Sequence, residues 1–391
     1  MLNQLHLERW AEVLVKHATN IQPGKIVRIN AQPSAERLLE AVYRRVLIAG
    51  GLPIVNCRPE FLGEAFYELA KDHQLDWTSP FARLEIDTID ASINIGASNN
   101  LRALDKFDPK VTQRAARADG ANREIFFQRA AVADDPSIDS NLKPLLWTTT
   151  LYPTNAYAQD AGMSLKDYCQ FVVRACQLNQ EDPVAFWQEL DRWQCQLAEQ
   201  LMTGSELHFQ TPAGTDLKVN IGGSRWLSSP GRKNFPDGEV YSGPNLSAAN
   251  GGAHGVVFFD KRCVYQGHAV RNARIVMENG RATDVTADEG QDFLISMLDQ
   301  DDGARRIGEC AFGTNRAINQ PTGQILFDEK MGGSFHLAFG AGYPETGNCN
   351  KSALHWDLIA SLGEGSKVTL DGKPFCIDGK FVTMPAEVKW L

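Results

Sequence analysis

The sequence predicts an α/β chain in two parts: an N-terminal open α/β layer domain over residues 1–203, and a strand-rich α+β domain over residues 204–391 that carries a metal site. Three observations predict it. Helix-like and strand-like segments alternate through short connections as far as about residue 200. Beyond Gly204, short strands of alternating polar and apolar residues replace them. Between Gly308 and Asp357, acids and imidazoles stand among glycines and apolar residues rather than among lysines and arginines.

Leu5 to Ala18 has apolar residues at helical spacing, and Ile26 to Asn30 reads as a short strand. Ser34 is the expected N-cap of a helix through Ala49, with Glu36 in its first turn and Gly50-Gly51 ending it. Pro53 to Asn56 returns as a strand, so this strand, helix, strand order is a βαβ unit with parallel strands. Phe61 to His73 is expected to be helical, Ala91 to Gly96 a strand, Lys110 to Val132 helical, and Leu145 to Leu151 a further strand. No Gly-x-Gly-x-x-Gly follows any of these strands, which excludes a dinucleotide site of the usual kind. Tyr152 to Thr203 is mostly helical, with Ser164 as an N-cap and a second helix from about Asp182.

In the second part, Leu207 to Val219 reads as a hairpin turned at residues 213–216. Further strands are expected at residues 255–259, 274–278, 368–370 and 375–378, with turns at Asn279-Gly280 and Asp378-Gly379 and one helix over Gln291 to Leu298. No internal repeat or low-complexity segment is present.

Composition bounds the function. The 391 residues are 43% hydrophobic and 22% charged, an ordinary globular balance. A formal net charge of −9 and the lack of any long basic run argue against a nucleic-acid partner. No segment approaches the roughly 18 apolar residues needed to cross a bilayer, and Met1 to Ala18 reads as an amphipathic helix rather than a signal peptide. The eight cysteines are scattered without a Cys-x-x-Cys pair, so reduced thiols and a cytoplasmic address are expected. His-Glu-x-x-His, Gly-x-Ser-x-Gly and phosphate-loop motifs are missing.

The acids and imidazoles carry the functional signal. Burying such groups unpartnered costs on the order of 1–3 kcal/mol each, more for a charge, so an apolar segment that keeps several of them needs a counter-charge. In His355-Trp356-Asp357 the two ligand types sit two apart, on one face of a strand with Trp356 on the other. His336 belongs to a second apolar strand entered through Gly332-Gly333. Glu239 begins a strand after a Pro-Asp-Gly turn, while Asp237 reads as a turn former. Glu239, Glu309, Glu329 and Asp357 together offer four negative charges, which match two divalent ions. Two such ions about 3.5–4 Å apart bridge a hydroxide and polarise a carbonyl, the requirements of peptide hydrolysis. Glu329 or Glu309 is expected to carry the proton to the leaving amine, and Tyr343 to donate to the oxyanion. The remaining histidines get structural readings: His6, His17 and His73 at the surface, His208 packed or hydrogen-bonded, and His254 in a turn rather than against substrate. Cys310 is expected to be core filler.

Several stretches resemble the aminopeptidase T, aminopeptidase S and PepS family of metallo-aminopeptidases. They are residues 234–240, 303–309 and 327–340, the Tyr-Pro-Glu-Thr-Gly from Tyr343, residues 352–359, and in the first part Tyr152-Pro153-Thr154 with residues 158–165. The resemblance spans the full length. It implies release of N-terminal residues from peptides with a free amine, using two divalent ions, zinc or cobalt with manganese or magnesium as substitutes. It also implies a homodimer whose active sites face an enclosed cavity. Glu239, Glu309, His336, His355 and Asp357 would be metal ligands, Glu329 a further acid in or beside the metal shell, and Tyr343 an active-site hydroxyl. The sequence departs from its relatives in the spacing between Asp328-Glu329 and His336, and at Phe339-Gly340-Ala341-Gly342 near Tyr343. The competing class is a non-catalytic peptide- or metal-binding relative on the same fold.

Overall fold

The computed structural model describes residues 2–135, 137–138 and 141–390. They form two compact units, residues 1–184 with 231–235, and residues 185–230 with 236–391.

The first unit is built on a five-stranded parallel sheet in the order Leu52–Cys57, Ile26–Ala31, Ala91–Gly96, Leu146–Leu151, Asn234–Phe235. Helix Glu36–Ile48 makes the crossover between the first two strands in the chain, and a crossover is what parallel pairing requires. Alternation sorts the side chains. Val27, Ile29, Ile93 and Ile95 are buried on one face, where Trp10 of helix Gln4–Glu12 also donates from Nε1 to Thr150 Oγ1 at 3.1 Å. Arg28, Asn30, Ser92 and Asn94 alternate with them. Parallel sheets are usually apolar on both faces; here the polar face closes its own hydrogen bonds. Arg28 donates to Ser92 Oγ and pairs with Glu85, and Asn30 Nδ2 donates to Asn94 Oδ1 at 2.7 Å.

The expected strands and most helices of this unit form, with five corrections, the first being that the helix expected over Phe61 to His73 ends at Leu69 and a separate short helix, Asp72–Leu75, follows. Ser34 lies in a 3₁₀ turn, Pro33–Ala35, and its hydroxyl accepts from Asn99 instead of capping the helix. The expected helix over residues 110–132 is broken at Asp119 into Pro109–Ala118 and Gly120–Asp134. Helix Pro80–Thr88 was not expected, although Ser79-Pro80 is a start signal: Ser79 Oγ accepts from Phe81 N, and proline occupies the first turn. His17 is buried, not at the surface, because residues 13–18 wind as a π-helix whose apolar residues face the core.

The second unit contains an eight-stranded sheet, a two-stranded hairpin and a five-stranded antiparallel sheet. The predicted hairpin forms as Glu206–Gln210 with Asp216–Asn220, and helix Gln291–Leu298 forms as expected. Asn279-Gly280 and Asp378-Gly379 each place both residues at positive φ, the geometry of two-residue hairpin turns. His254 lies exposed at the start of strand Ala253–Phe259 rather than in a turn. His208 is held by Asp216, Nε2 to Oδ1 at 2.6 Å.

The five-stranded sheet runs His355–Ser361, Ser334–Gly340, Ile307–Gly313, Glu239–Ser242, Leu227–Ser229. Phe312 and Phe335 on one of its faces stack on Phe209 of the larger sheet at 5.7 and 4.5 Å, and Phe339 meets Phe259 at 6.4 Å. This aromatic layer is the core of the unit, since each ring buries on the order of 150–250 Å². Among the described residues, no helix is long and apolar enough to cross a membrane.

The buried Arg129 guanidinium donates to the carbonyls of Ile86, Ile89, Lys143 and Pro144. Arg129→Ala strands these acceptors and should cost about 2–4 kcal/mol in urea unfolding. The Asp90 carboxylate accepts from Ile26 N and pairs with Lys25 and Lys143. Burial opposes its ionisation, but these donors outweigh it and hold the group below the ordinary carboxylate range. A depressed acid stabilises above its unfolded value of about 4 and loses that contribution as pH falls. Asp90→Asn should therefore flatten the acid limb of the stability curve below about pH 4.

Candidate metal centre

The register of the five-stranded sheet brings the predicted ligands together. Glu309 lies opposite Ala338, which lies opposite Asp357. Ala311 is opposite both His336 and Tyr241, Gly313 is opposite Glu239, and Gly340 is opposite His355. Because strand side chains alternate, all these positions share one face. The residues between the ligands on that face are Ala311, Ala338, Gly313 and Gly340, so small side chains leave room above the sheet. Cys310, Phe312, Leu337 and Trp356 take the opposite, core-facing side and are buried. Cys310 is therefore filler, as expected.

Glu239 is aimed by its turn. Gly238 has φ of +128°, and a Cβ there would stand 2.8 Å from Asn315 Cβ, so glycine is required both by conformation and by space. The Tyr343 loop is tied down by two asparagines. Asn348 Nδ2 donates to the carbonyls of Pro244 and Ile307, and Asn350 Nδ2 to those of Gly303 and Gly340.

Distances within the cluster are those of ligands around a shared centre. His336 Nε2 is 3.4 Å from Glu239 Oε2, 3.6 Å from Glu309 Oε1 and 4.0 Å from Asp357 Oδ1. His355 Nε2 is 3.3 Å from Glu309 Oε2 and 3.9 Å from Asp357 Oδ2. The two oxygens of Glu309 thus face different imidazoles. Ligand atoms of Glu239, Glu309 and His336 lie within 4.8 Å of one another, as do those of Glu309, His355 and Asp357, and those of Glu329, His336 and Asp357. His355 Nδ1 is 2.9 Å from the Ala341 carbonyl, so that nitrogen donates and Nε2 keeps its lone pair for a ligand. Tyr343 places its hydroxyl 3.3 Å from His355 Nε2.

Several of these atoms make no hydrogen bond among the described residues. Glu239 Oε2, Asp357 Oδ1 and His336 Nε2 are buried without a hydrogen-bond partner. Buried polar atoms are otherwise almost always paired, and carboxylate with imidazole is the donor set that divalent ions such as zinc accept. The residues fit a metal. Electrostatics agree. Burial raises Glu239 to about 8 and Asp357 to about 7, and neighbouring carboxylates add to both. Burial would depress His336 and His355, but the surrounding acids outweigh it and raise them to about 9 and about 10. Burial also works against ionised Glu309, yet the two imidazoles hold it at about 2. With no metal bound, the cluster keeps protons on its carboxylates and imidazoles, the protons that a divalent ion would displace.

Glu329 follows the short helix Ile325–Asp328, not a strand of the sheet, and its Oε1 pairs with Lys330 Nζ at 2.6 Å. Asp328, its neighbour, is structural: it accepts from Thr322 N and Oγ1 and from Gly323 N. Two participants were missed from the sequence. Asp237, read as a turn former, is 1% exposed and 3.5 Å from Lys330 Nζ. Lys330 itself is 1% exposed and 2.5 Å from Glu239 Oε1. Its place in Asp328-Glu329-Lys330 fits a solvated lysine equally well, so the sequence alone does not single it out.

The family described as thermophilic metalloprotease (M29) matches residues 3–381. The chain belongs to this peptidase family, and the resemblance to the aminopeptidase T and S group holds along its length. Aminopeptidase 2 of Geobacillus stearothermophilus is 26% identical over 94% of this chain and 95% of its own length. Aminopeptidase T of Thermus aquaticus is 28% identical over 75% of each. The structure titled wild-type AmpT from Thermus thermophilus shares the fold with a TM-score of 0.81 at 24% identity, covering 96% of this chain and 99% of that one. A 2,5-dihydroxypyridine dioxygenase from Pseudomonas putida KT2440 shares it more distantly, with a TM-score of 0.58 and 14% identity over the whole of both chains.

Because Asn348 anchors the Tyr343 loop without touching the ligands, Asn348→Ala should lower kcat at least about 10-fold while leaving metal content intact. Elemental analysis beside steady-state kinetics checks both halves of that statement.

Proposed function

We propose that this chain is a metal-dependent aminopeptidase that removes the N-terminal residue from peptides with a free amine, at a centre for two divalent ions. The observation that carries the reading is the pair of ligand triads sharing Glu309, with buried ligand atoms that have no hydrogen-bond partner among the described residues. Glu239, Glu309 and His336 would hold one ion, and Glu309, His355 and Asp357 the other. Zinc or cobalt suits this mixture of carboxylate and imidazole. When bound, such a pair supplies Lewis acidity toward the carbonyl and a water of lowered pKa.

The chain's own groups supply the rest. Tyr343, kept protonated by burial and by the acids around it, donates its hydroxyl proton to oxygen that becomes negative at the scissile carbonyl. Both Glu309 oxygens are directed at imidazoles, whereas Glu329 pairs with Lys330 through Oε1, so Glu329 is the carboxylate assigned to move a proton to the leaving amine. The acids around the centre favour a substrate ammonium, so a free N-terminus is selected and an acetylated one is not. A homodimer is supported by the apolar surface of the first unit. Helix Phe61–Leu69 buries none of its residues, and Leu69, Trp77 and Phe81 are 77%, 66% and 78% exposed. Among the described residues none of the eight cysteines is joined in a disulfide, which suits a reducing, cytoplasmic setting.

The test is release of chromophore from leucine, arginine and phenylalanine anilides. Activity should vanish with chelator, return with zinc or cobalt, and be absent on acetylated substrates. Inert metal-loaded protein on all free-amine substrates would instead identify a binding protein. His355→Ala should lose metal and rate together. Tyr343→Phe should lower kcat by about 100-fold with metal content unchanged.

A further inference from the structure

Lys330 is a permanent cation inside the ligand cluster. Its ammonium lies 2.5 Å from Glu239 Oε1, 2.6 Å from Glu329 Oε1 and 3.5 Å from Asp237 Oδ1, and the side chain is 1% exposed. A lysine buried this deeply needs compensation, and three carboxylates provide it. The consequence falls unequally on the cluster. In the half made by Glu239, Glu309 and His336, one oxygen of Glu239 is already committed to the ammonium, so only Oε2 is left for a metal. Glu329, which lies within reach of His336 and Asp357, is held by the same ammonium. In the other half, Glu309 Oε2 and Asp357 Oδ2 face His355 Nε2 at 3.3 and 3.9 Å, and the Lys330 ammonium pairs with neither carboxylate.

A dication entering the first half meets a ligand whose charge is partly neutralised, and a positive charge one ligand away. A dication entering the second half meets carboxylates whose oxygens face imidazole nitrogens. Groups bonded to a ligand's other oxygen set metal affinity by about 10- to 100-fold, and a cationic one lowers it by repelling the ion and occupying the oxygen.

We propose that Lys330 is a resident counter-cation that makes the two halves load unequally: Glu309, His355 and Asp357 take the first divalent ion, and Glu239, Glu309 and His336 take the second only at higher free metal, in competition with the Lys330 ammonium. The inference rests on the two-ion reading above. Lys330 is a positioning residue, acting through Glu239 and Glu329.

The test is metal binding, independent of turnover. The full chain is equilibrated against buffered free zinc over a wide range and its metal content measured, with manganese electron paramagnetic resonance to detect a spin-coupled pair. In the unaltered protein, one ion per chain should be retained at free zinc at least about 10-fold below that needed for the second. The coupled signal should appear only in the second step. Lys330→Met, which keeps the bulk and removes the charge, should bring the second step down by about 10-fold or more and leave the first in place. Lys330→Gln provides the same comparison if the methionine variant does not fold, and the unaltered protein's own isotherm stands without either.

A merely structural lysine would give the opposite result, with both steps weakened in the variants, and that would overturn the proposal. Two ions taken up in one step by the unaltered protein would also overturn it while leaving the two-ion reading intact. An unaltered protein that binds no ion would overturn both.

Discussion

The constraint on which the second unit depends is the gathering of carboxylates on one buried face of an antiparallel sheet. Glu239, Glu309 and Asp357 are all buried, with His336 fully buried beside them. A hydrophobic interior does not tolerate such a group unless cations enter the same space. The rest of the sheet accommodates this demand. Its far face is aromatic and stacks on Phe209, which fixes the strands. Its near face places alanine and glycine between the ligands, and its turns and asparagine ties hold the flanking loops. Lys330 satisfies part of the charge, and the orphaned oxygens and imidazole nitrogen mark the part that it does not.

The way this centre could be read from sequence follows from its geometry. His355 and Asp357 are two apart on a strand, a local relation that alternation alone reveals. Glu239 could be read because a Pro-Asp-Gly turn precedes it. His336 and Glu309 were visible as polar residues inside otherwise apolar segments. Lys330 was not, because a lysine is solvated by default and only tertiary register shows that three acids surround it. Asp237 fits a turn equally well whether its carboxylate faces water or an ammonium. In the first unit, Ser34 looked like a helix cap, yet Asn99, distant in sequence, claims its hydroxyl. The break at Asp119 falls at an Asp119-Gly120 pair, a turn signal that a single helix drawn over residues 110–132 passes over.

The distant likeness to a dioxygenase shows that this architecture is not tied to one reaction. What distinguishes the present chain is the set of side chains on one face of one sheet. The strand framework supplies a rigid floor, and the identity of a few residues decides how much positive charge the floor requires and where it is placed.

The first unit has a five-stranded sheet whose last strand, Asn234–Phe235, is drawn from well beyond the other four. Phe235 is buried there, with its ring 6.5 Å from that of Trp10, so the second turn of the opening helix is packed against a residue more than two hundred positions later. On a ribosome, the N-terminal sheet therefore stays open at the Leu146–Leu151 edge until that late segment has emerged. Synthesis of the polypeptide is then well into the residues of the second unit, and a sheet edge left waiting so long is a natural place for chaperones to act.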